Sequence, residues 1–537
     1  MPQSSLALLL HAHLPFVRHP EHPSFLEEDW LFEAITECYL PLIRVLNGLA
    51  DDDVPHRLTL SISPPLAEML DDVLLQERYR HYLESRMELV DQEAHRTKHD
   101  AVLQPLAVMY RQLFGAATRL YDHYQGNLLN AFRQLQDENS IEIITCPATH
   151  AFMPFVSTDA ARRAQLLIAK ETCAHHFGKS PRGLWLAECG YEPDLESLLR
   201  ESGFAYLVLD AHGLLFGNPR PPAGVYSPVK TPEGLVAFGR DLESSRQVWS
   251  SHGGYPGDEN YREFYRDLGY DGHYESLRPY FHADGIRRNL GIKYHRITGP
   301  GDLGQRAFYR RERALAKADE HARHFVQSRE AQLTSLRQTL GQPPIVVSPY
   351  DAELFGHWWF EGPHFLDRVI RNAASSTQFK LATLSDVLEE NANPVCSQPA
   401  ASSWGEQGYQ KVWLNERTQW LYRHQHQAER CMTELASEFP EAEGTMRRAL
   451  NQAGRELLLA ESSDWPFLIC QQTAVPYAMR RFRLHIQRFH QLREQISSGA
   501  IEEAWLKKVE AQDNLFPRLD YRVFDWRNDK RGESKQS

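Results

Sequence analysis

The chain has 537 residues, of which 42% are hydrophobic, and this length allows several domains with a large buried core. Its net charge is −12, with no long run of one sign, which argues against a nucleic-acid partner or an anionic membrane surface. No stretch approaches the ~20 apolar residues of a membrane span, and the seven cysteines form no CxxC pair. We therefore expect a cytoplasmic protein with reduced thiols, in which the short apolar run at 6–10 is a strand and not a signal peptide.

Short apolar runs, each followed by turn residues, predict buried parallel strands in the first 395 residues. Helical patterns lie between several of them, and this alternation is typical of an α/β barrel. A helical insertion is predicted at about 65–135, with long loops at about 211–233 and 239–307 and a helix near 308–340. The predicted strands are 6–10, 57–62, 141–145, 183–187, 205–209, 235–238 and 345–348, with a weaker candidate at 380–384.

The composition changes after Pro394. Apolar residues at 446, 450, 453, 457 and 460 recur at helical spacing, and further helical patterns follow. We therefore predict a catalytic domain at 1–395 and an α-helical C-terminal domain at 396–526. The polar residues 527–537 are predicted to be a disordered tail.

Two of the predicted strands are followed by a carboxylate. Glu188 comes directly after strand 183–187 in GLWLAECGYEPD, and Asp351 lies three residues after strand 345–348 in IVVSPYDAELFGHWWFEGP. Catalytic groups of barrel enzymes lie at the C-terminal ends of the strands. Two such carboxylates indicate glycoside chemistry, in which one attacks the sugar carbon and the other transfers a proton. Glu192 and Glu353 are the alternative carboxylates, and a helix-terminal role is the structural alternative for Glu188.

Five segments, taken in order, resemble the motifs of glycoside hydrolase family 57. They are HAHLPF at 11–16, EIITCPATHAFMP at 142–154, WLAECGYEPDLE at 185–196, YDAELFGHWWFEGP at 350–363 and SSDWPFLI at 462–469. Over about 1–526, their order and spacing are most similar to the family's 1,4-α-glucan branching enzymes. The resemblance implies an incomplete (β/α)7 TIM-like barrel followed by a helical domain. It also implies a retaining transglycosylation that cleaves α-1,4 links and forms α-1,6 branches in glycogen or amylose, without a metal or organic cofactor.

The resemblance also implies roles for individual residues. Glu188 is the expected nucleophile and Asp351 the expected general acid and base, and burial beside a second carboxylate would raise its pKa. Substrate binding is implied for His11, His13 and His150, with a metal site or a structural role as the alternatives.

Further candidates are aromatic or lie near the C-terminal motif. For Tyr255, in the loop SSHGGYPGDEN, the resemblance implies a side chain that reaches over the catalytic site and favours transfer to a sugar over transfer to water. A loop anchored by its own aromatic ring is the alternative. The candidates for glucan binding are Trp30, Trp404, Trp413 and Asp464, with a domain interface as the alternative for Trp404 and Trp413 and a helix cap for Asp464.

Other functions remain open at this point. A 4-α-glucanotransferase or an α-amylase of the same family would differ only in the acceptor, which is a 4-hydroxyl group or water. A metal-dependent carbohydrate hydrolase or deacetylase on a similar barrel is a different class. A non-catalytic glucan-binding protein is disfavoured because both carboxylates are present.

Overall fold

Parallel strands form the centre of the molecule in the computed structural model, which describes residues 3–249, 253–299, 301–390 and 393–525. Strands β1 and β2 are buried along their whole length because helices cover the sheet, as parallel sheets require. The strands of these residues are β1 (Ser4–Ala12), β2 (Leu58–Ile62), β3 (Ile141–Ile144), β4 (Gly183–Trp185), β5 (Tyr206–Leu209), β6 (Val229–Lys230), β7 (Val236–Gly239), β8 (Ile345–Asp351), β9 (Phe379–Leu381) and β10 (Val395–Cys396).

Seven of these strands surround a common core. One parallel row has the order β3-β2-β1-β8, and a second contains β4, β5 and β7. At one seam Trp185 N donates to Thr145 O at 2.8 Å, and at the other Asp241 N donates to Val347 O at 2.9 Å. The order is therefore β1-β2-β3-β4-β5-β7-β8, with isolated hydrogen bonds in place of extended pairing at two seams. The predicted incomplete seven-strand barrel is confirmed.

Three short strands lie outside this ring. β9 pairs with the beginning of β1, β6 is antiparallel to β7, and β10 pairs with β6. Each of the eight predicted strands overlaps an observed one. β6 and β10 were not predicted, because two residues are too few to show a periodic pattern.

Helices connect the strands and form the C-terminal part of the chain. The helix α7, for example, begins after Thr158, whose side chain accepts from Ala161 N, and ends at Gly178 in the left-handed conformation (φ 71°). The helices before β8 are α1 (Glu28–Ala34), α2 (Leu40–Asp51), α3 (Pro64–Asp71), α4 (Val73–Arg96), α5 (Leu103–His123), α6 (Leu128–Asp137), α7 (Asp159–Phe177), α8 (Glu196–Glu201), α9 (Ala211–Leu215), α10 (Leu242–Trp249), α11 (Leu268–Asp271), α12 (Tyr274–Leu277) and α13 (Arg311–Leu340).

The helices after β8 are α14 (Gly362–Ala374), α15 (Leu384–Glu390), α16 (Gln419–Glu438), α17 (Gly444–Ala460), α18 (Asp464–Gln471), α19 (Val475–Ser498) and α20 (Glu503–Gln512). Helices α3 to α6 occupy the predicted insertion, and α16 to α20 occupy the predicted C-terminal domain. The division at 395/396 stays a prediction, and the tail at 527–537 lies outside the described residues. Within those residues, no helix is both long enough and apolar enough to cross a membrane. All seven cysteines are free thiols.

Candidate active site

The C-terminal ends of four strands bring the predicted site residues to one end of the barrel. β1 ends near His11 and His13, β4 leads into Glu188, and β8 ends at Asp351. His11 lies opposite Asp351 in the register between β1 and β8. The segment after β3 carries His150, whose Nε2 lies 3.0 Å from His11 Nε2. Residues far apart in the sequence therefore meet where barrel enzymes hold their catalytic groups.

Glu188 occupies a tight turn directly after β4. Its backbone is in the left-handed region (φ 59°), as is that of Cys189 (φ 52°), and such strain costs about 1–3 kcal/mol per residue. Trp404 holds the turn from the C-terminal side of the chain: its backbone N donates to Glu188 O at 3.0 Å, and its Nε1 donates to Glu188 Oε2 at 2.6 Å. The strained turn and the indole N–H together direct the carboxylate.

The pKa of Glu188 is raised to about 7. Burial is the largest cause, the hydrogen bond from Trp404 acts in the opposite direction, and the negative charge of Asp464 adds to the rise. Glu188 therefore changes charge near neutral pH and is available as an anion above it.

Burial also raises the pKa of Asp351 well above its usual range. The negative charges of Glu353 and Glu188 raise it further, and Arg240 opposes them. Asp351 therefore keeps its proton to higher pH than an exposed aspartate does, as a general acid requires.

Glu353, the alternative to Asp351, is held by protein donors. Its Oε1 accepts from Tyr39 Oη at 2.5 Å and from the backbone N of His13 at 3.2 Å. Tyr39 ends a π-helical turn, Ile35–Tyr39, and such turns are frequent at functional sites. Glu353 is thus placed to orient β1 and to raise the pKa of Asp351 by its charge.

Three histidine rings form a stack along one wall of the site. The His13 and His150 rings are 3.7 Å apart, and the His11 and His150 rings are 5.1 Å apart. Burial lowers the pKa of both His11 and His150 well below the usual range, and the neighbouring histidine charges add to this. Both imidazoles are therefore neutral at neutral pH. The ring nitrogens of His11 and His150 are hydrogen-bonded to each other and to serine hydroxyl groups, so a role of these two residues in substrate binding stays a prediction.

The C-terminal helices supply the outer partners of this stack. Asp464, the first residue of α18, accepts from His13 Nε2 at 3.2 Å, and Ser463 Oγ lies 2.9 Å from His150 Nδ1. Burial opposes ionisation of Asp464, but the charges of His13 and His150 and a hydrogen bond from Ser462 lower its pKa overall. The site is therefore built from the barrel and the C-terminal helices together.

A metal ion could in principle bind at the outer side of the stack. His13, His150 and Asp464 each offer one ligand atom, and these atoms lie within 4.8 Å of one another. Two imidazoles and a carboxylate are a common ligand set for zinc. The metal alternative is therefore compatible with these residues, and chelation can test it.

Aromatic side chains surround Trp404, the hydrogen-bond partner of Glu188. The Trp404 ring lies 5.0 Å from Trp185 and 6.1 Å from Trp249, which is 41% exposed at the end of α10. Arg240 lies 5.8 Å from the Trp404 ring and 3.4 Å from Asp210. Sequence reasoning missed Trp249, Arg240 and Asp210. The last two directly follow β7 and β5, so the rule that found Glu188 could have found them.

The remaining candidates lie at other places. Trp413 is 1% exposed and its ring stacks on Phe152 at 4.5 Å, as the domain-interface alternative expected. Trp30 contacts Tyr477 edge to face at 5.8 Å. Roles of Trp30 and Trp413 in glucan binding stay predictions.

Tyr255 contacts helix α13. Its hydroxyl bonds His324 Nδ1 at 2.7 Å, its ring stacks on His321 at 4.6 Å, and it is 8% exposed. This position matches a loop anchored by its own aromatic ring. A role over the catalytic site stays a prediction, and residues 250–252 of the same loop lie outside the described part of the chain.

A seven-strand barrel with two partly buried carboxyl groups at its strand ends is typical of a glycoside hydrolase or a related transglycosylase. A family model described as glycosyl hydrolase family 57 matches residues 7–397. A second model, described as the C-terminal part of 1,4-alpha-glucan branching enzyme, matches residues 424–524. The chain belongs to glycosyl hydrolase family 57, which confirms the resemblance of its five motifs.

Several relatives and solved structures align with nearly the whole length of this chain. The 1,4-alpha-glucan branching enzyme of Thermococcus kodakarensis is 32% identical over 95% of this chain and 77% of its own length. The alpha-amylase AmyC from Thermotoga maritima has 42% sequence identity to this chain. Its crystal structure aligns with a TM-score of 0.92 over 97% of this chain and 99% of that one. The branching enzyme of Pyrococcus horikoshii is 32% identical, with a TM-score of 0.87 over 97% of each chain.

Proposed function

We propose that the protein is a 1,4-α-glucan branching enzyme that acts by a retaining mechanism. The observation that carries the proposal is the pair of partly buried carboxyl groups, Glu188 and Asp351, at the end of a barrel to which the C-terminal helices contribute Asp464. That helical region matches a branching-enzyme model, and relatives named for this activity extend over most of the chain.

The first step cleaves an α-1,4 link in a donor glucan. The carboxylate of Glu188 attacks the anomeric carbon, while the carboxyl proton of Asp351 moves to the glycosidic oxygen as its bond to that carbon breaks. A β-glycosyl ester on Glu188 and a shortened donor chain result. The raised pKa of Asp351 keeps its proton available, and the Trp404 N–H favours the ionised form of Glu188.

The second step transfers the bound segment to an acceptor. The carboxylate of Asp351 takes the proton from a 6-hydroxyl group, whose oxygen attacks the anomeric carbon and releases Glu188 as a carboxylate. The product is an α-1,6 branch with the anomeric configuration retained. The stacked rings of His11, His13 and His150 are the expected contacts of the sugar during both steps.

The second candidate function is that of an α-amylase of the same family. It is favoured by the 42% identity to AmyC and by the position of Tyr255, whose contacts with α13 place it among loop-anchoring residues. Hydrolysis uses the same first step, after which water attacks in place of a sugar hydroxyl group. A 4-α-glucanotransferase would use a 4-hydroxyl acceptor.

Incubation with amylose separates these functions. A debranching enzyme is added after the reaction, and the new α-1,6 links are counted against the reducing ends formed before debranching. Branching predicts more α-1,6 links than new reducing ends. Reducing ends without α-1,6 links would identify a hydrolase, and redistributed chain lengths with neither change would identify a 4-α-glucanotransferase. The Glu188→Gln variant provides the background for each count.

A further inference from the structure

A cavity of about 350 Å³ lies outside the barrel, among α2, α5, α14 and the first turn of α13. This volume is within the range of about 300–1,000 Å³ that small-molecule sites occupy. Glu188, Asp351 and the three stacked histidines are not among its lining residues. It is therefore separate from the site at the end of the barrel, and nothing in the proposed reaction uses it.

Two arginines at this cavity have no carboxylate partner among the described residues. They are Arg44 on α2 and Arg311 at the start of α13. Burial, and after it the positive charge of Arg311, lowers the pKa of Arg44, so the two guanidinium groups repel each other. Arg371, which also lines the cavity, is by contrast paired with Asp367 at 2.9 Å and Asp52 at 2.8 Å.

Two further residues that line the cavity have a buried polar atom without a hydrogen-bond partner among the described groups. Arg262 is 4% exposed, its guanidinium lies 4.0 Å from the Phe360 ring, and its Nε has no hydrogen-bond partner among the described groups. Glu361, which also lines the cavity, has an unpartnered Oε2. Unpaired buried polar atoms cost about 1–3 kcal/mol each, so a ligand that bonds them would bind favourably.

We propose that this cavity is a binding site for a small phosphate monoester whose organic part is a nucleoside or a sugar, such as a nucleoside monophosphate or a sugar phosphate. Two unpaired guanidinium groups match a phosphate dianion, because arginine donors fit phosphate oxygens in pairs. The nucleoside or sugar part of the ligand lies against Phe360 and Phe114 and bonds the unpartnered Nε of Arg262 and Oε2 of Glu361. A neutral glucan is a poorer fit because it leaves the repulsion between Arg44 and Arg311 uncompensated.

Isothermal titration of the full-length protein with separate probes tests the proposal. AMP and glucose 6-phosphate are the two phosphate esters to be compared. Inorganic phosphate, adenosine and maltose are control probes that carry only a phosphate, only a nucleoside or only a sugar. We expect at least one of the two esters to bind at least tenfold more tightly than inorganic phosphate, adenosine or maltose. Tighter binding of AMP would show that the site takes a nucleoside phosphate, and tighter binding of glucose 6-phosphate would show that it takes a sugar phosphate.

Charge-matched variants connect binding to the cavity. The double variant Arg44→Gln/Arg311→Gln should weaken the tighter ester at least tenfold. Arg423→Gln/Arg430→Gln removes the same charge from the exposed face of α16 and should leave the affinity unchanged. Arg44→Gln alone should show part of the loss if the double variant does not fold.

Three results would overturn the proposal. They are no binding of either ester, equal affinity in the wild type and the Arg44 variants, and equal binding of inorganic phosphate and the esters. Binding of maltose in preference to both esters would identify a glucan site and would equally reject it. Because no result depends on turnover, failure here is distinguishable from failure of the proposed catalytic function.

Discussion

Replacement of Trp404 by phenylalanine removes the only side-chain hydrogen bond to Glu188 found within the described residues, at 2.6 Å from Nε1 to Oε2. A hydrogen bond to a charged group is worth about 1.5–3 kcal/mol, and 1.36 kcal/mol corresponds to one pKa unit. Loss of the bond should therefore raise the pKa of Glu188 from about 7 to about 8–9. Because the nucleophile must be ionised, the acid limb of the kcat/KM profile should move to higher pH by the same amount.

The assay measures kcat/KM on amylose from pH 5 to 10 for wild type and Trp404→Phe. At pH 6 the variant should lose about 10–100-fold more activity than at the plateau, because its ionised fraction of Glu188 is smaller by that factor. Trp413→Phe is the matched control, since the Nε1 of Trp413 is buried without a partner among the described groups. An acid limb that stays in place, or moves equally in both variants, would refute the assignment of Glu188 as the titrating nucleophile.

Four further predictions concern the roles expected of other residues of the site. Glu188→Gln and Asp351→Asn should each reduce transfer by at least ~10²-fold with unchanged circular dichroism, and full activity in either variant would reject its catalytic role. Asp464→Asn should raise KM about tenfold with a smaller change in kcat, because His13 loses a charged hydrogen-bond acceptor. Steady-state kinetics measures both constants, and an unchanged KM would contradict this prediction. Activity should survive prolonged chelation, whereas stoichiometric zinc whose removal abolishes activity would establish the metal alternative. Tyr255→Ala should form more reducing ends per α-1,6 link, and an unchanged ratio would show that its loop is only structural.

Local sequence was enough to predict the strands and the two carboxylates. A buried parallel strand needs a continuous apolar run, so β1, β4 and β8 are visible in the sequence without knowledge of their partners. Glu188 and Asp351 are recognisable because each follows such a run, and the family motifs surround them. The two-residue strands β6 and β10 were not visible, because their pairing depends on neighbours brought together by the fold.

The tertiary structure alone decided which side chains complete the site. Trp404 and Glu188 are 216 positions apart, and Asp464 and His13 are 451 apart, so no local pattern could pair them. Trp404 and Trp413 look equivalent in the sequence, yet one donates to Glu188 and the other stacks on Phe152 in the interior. Residue type and local periodicity determine what a side chain can do and which segments are buried. The packing of the C-terminal helices against the barrel determines which of these side chains meet.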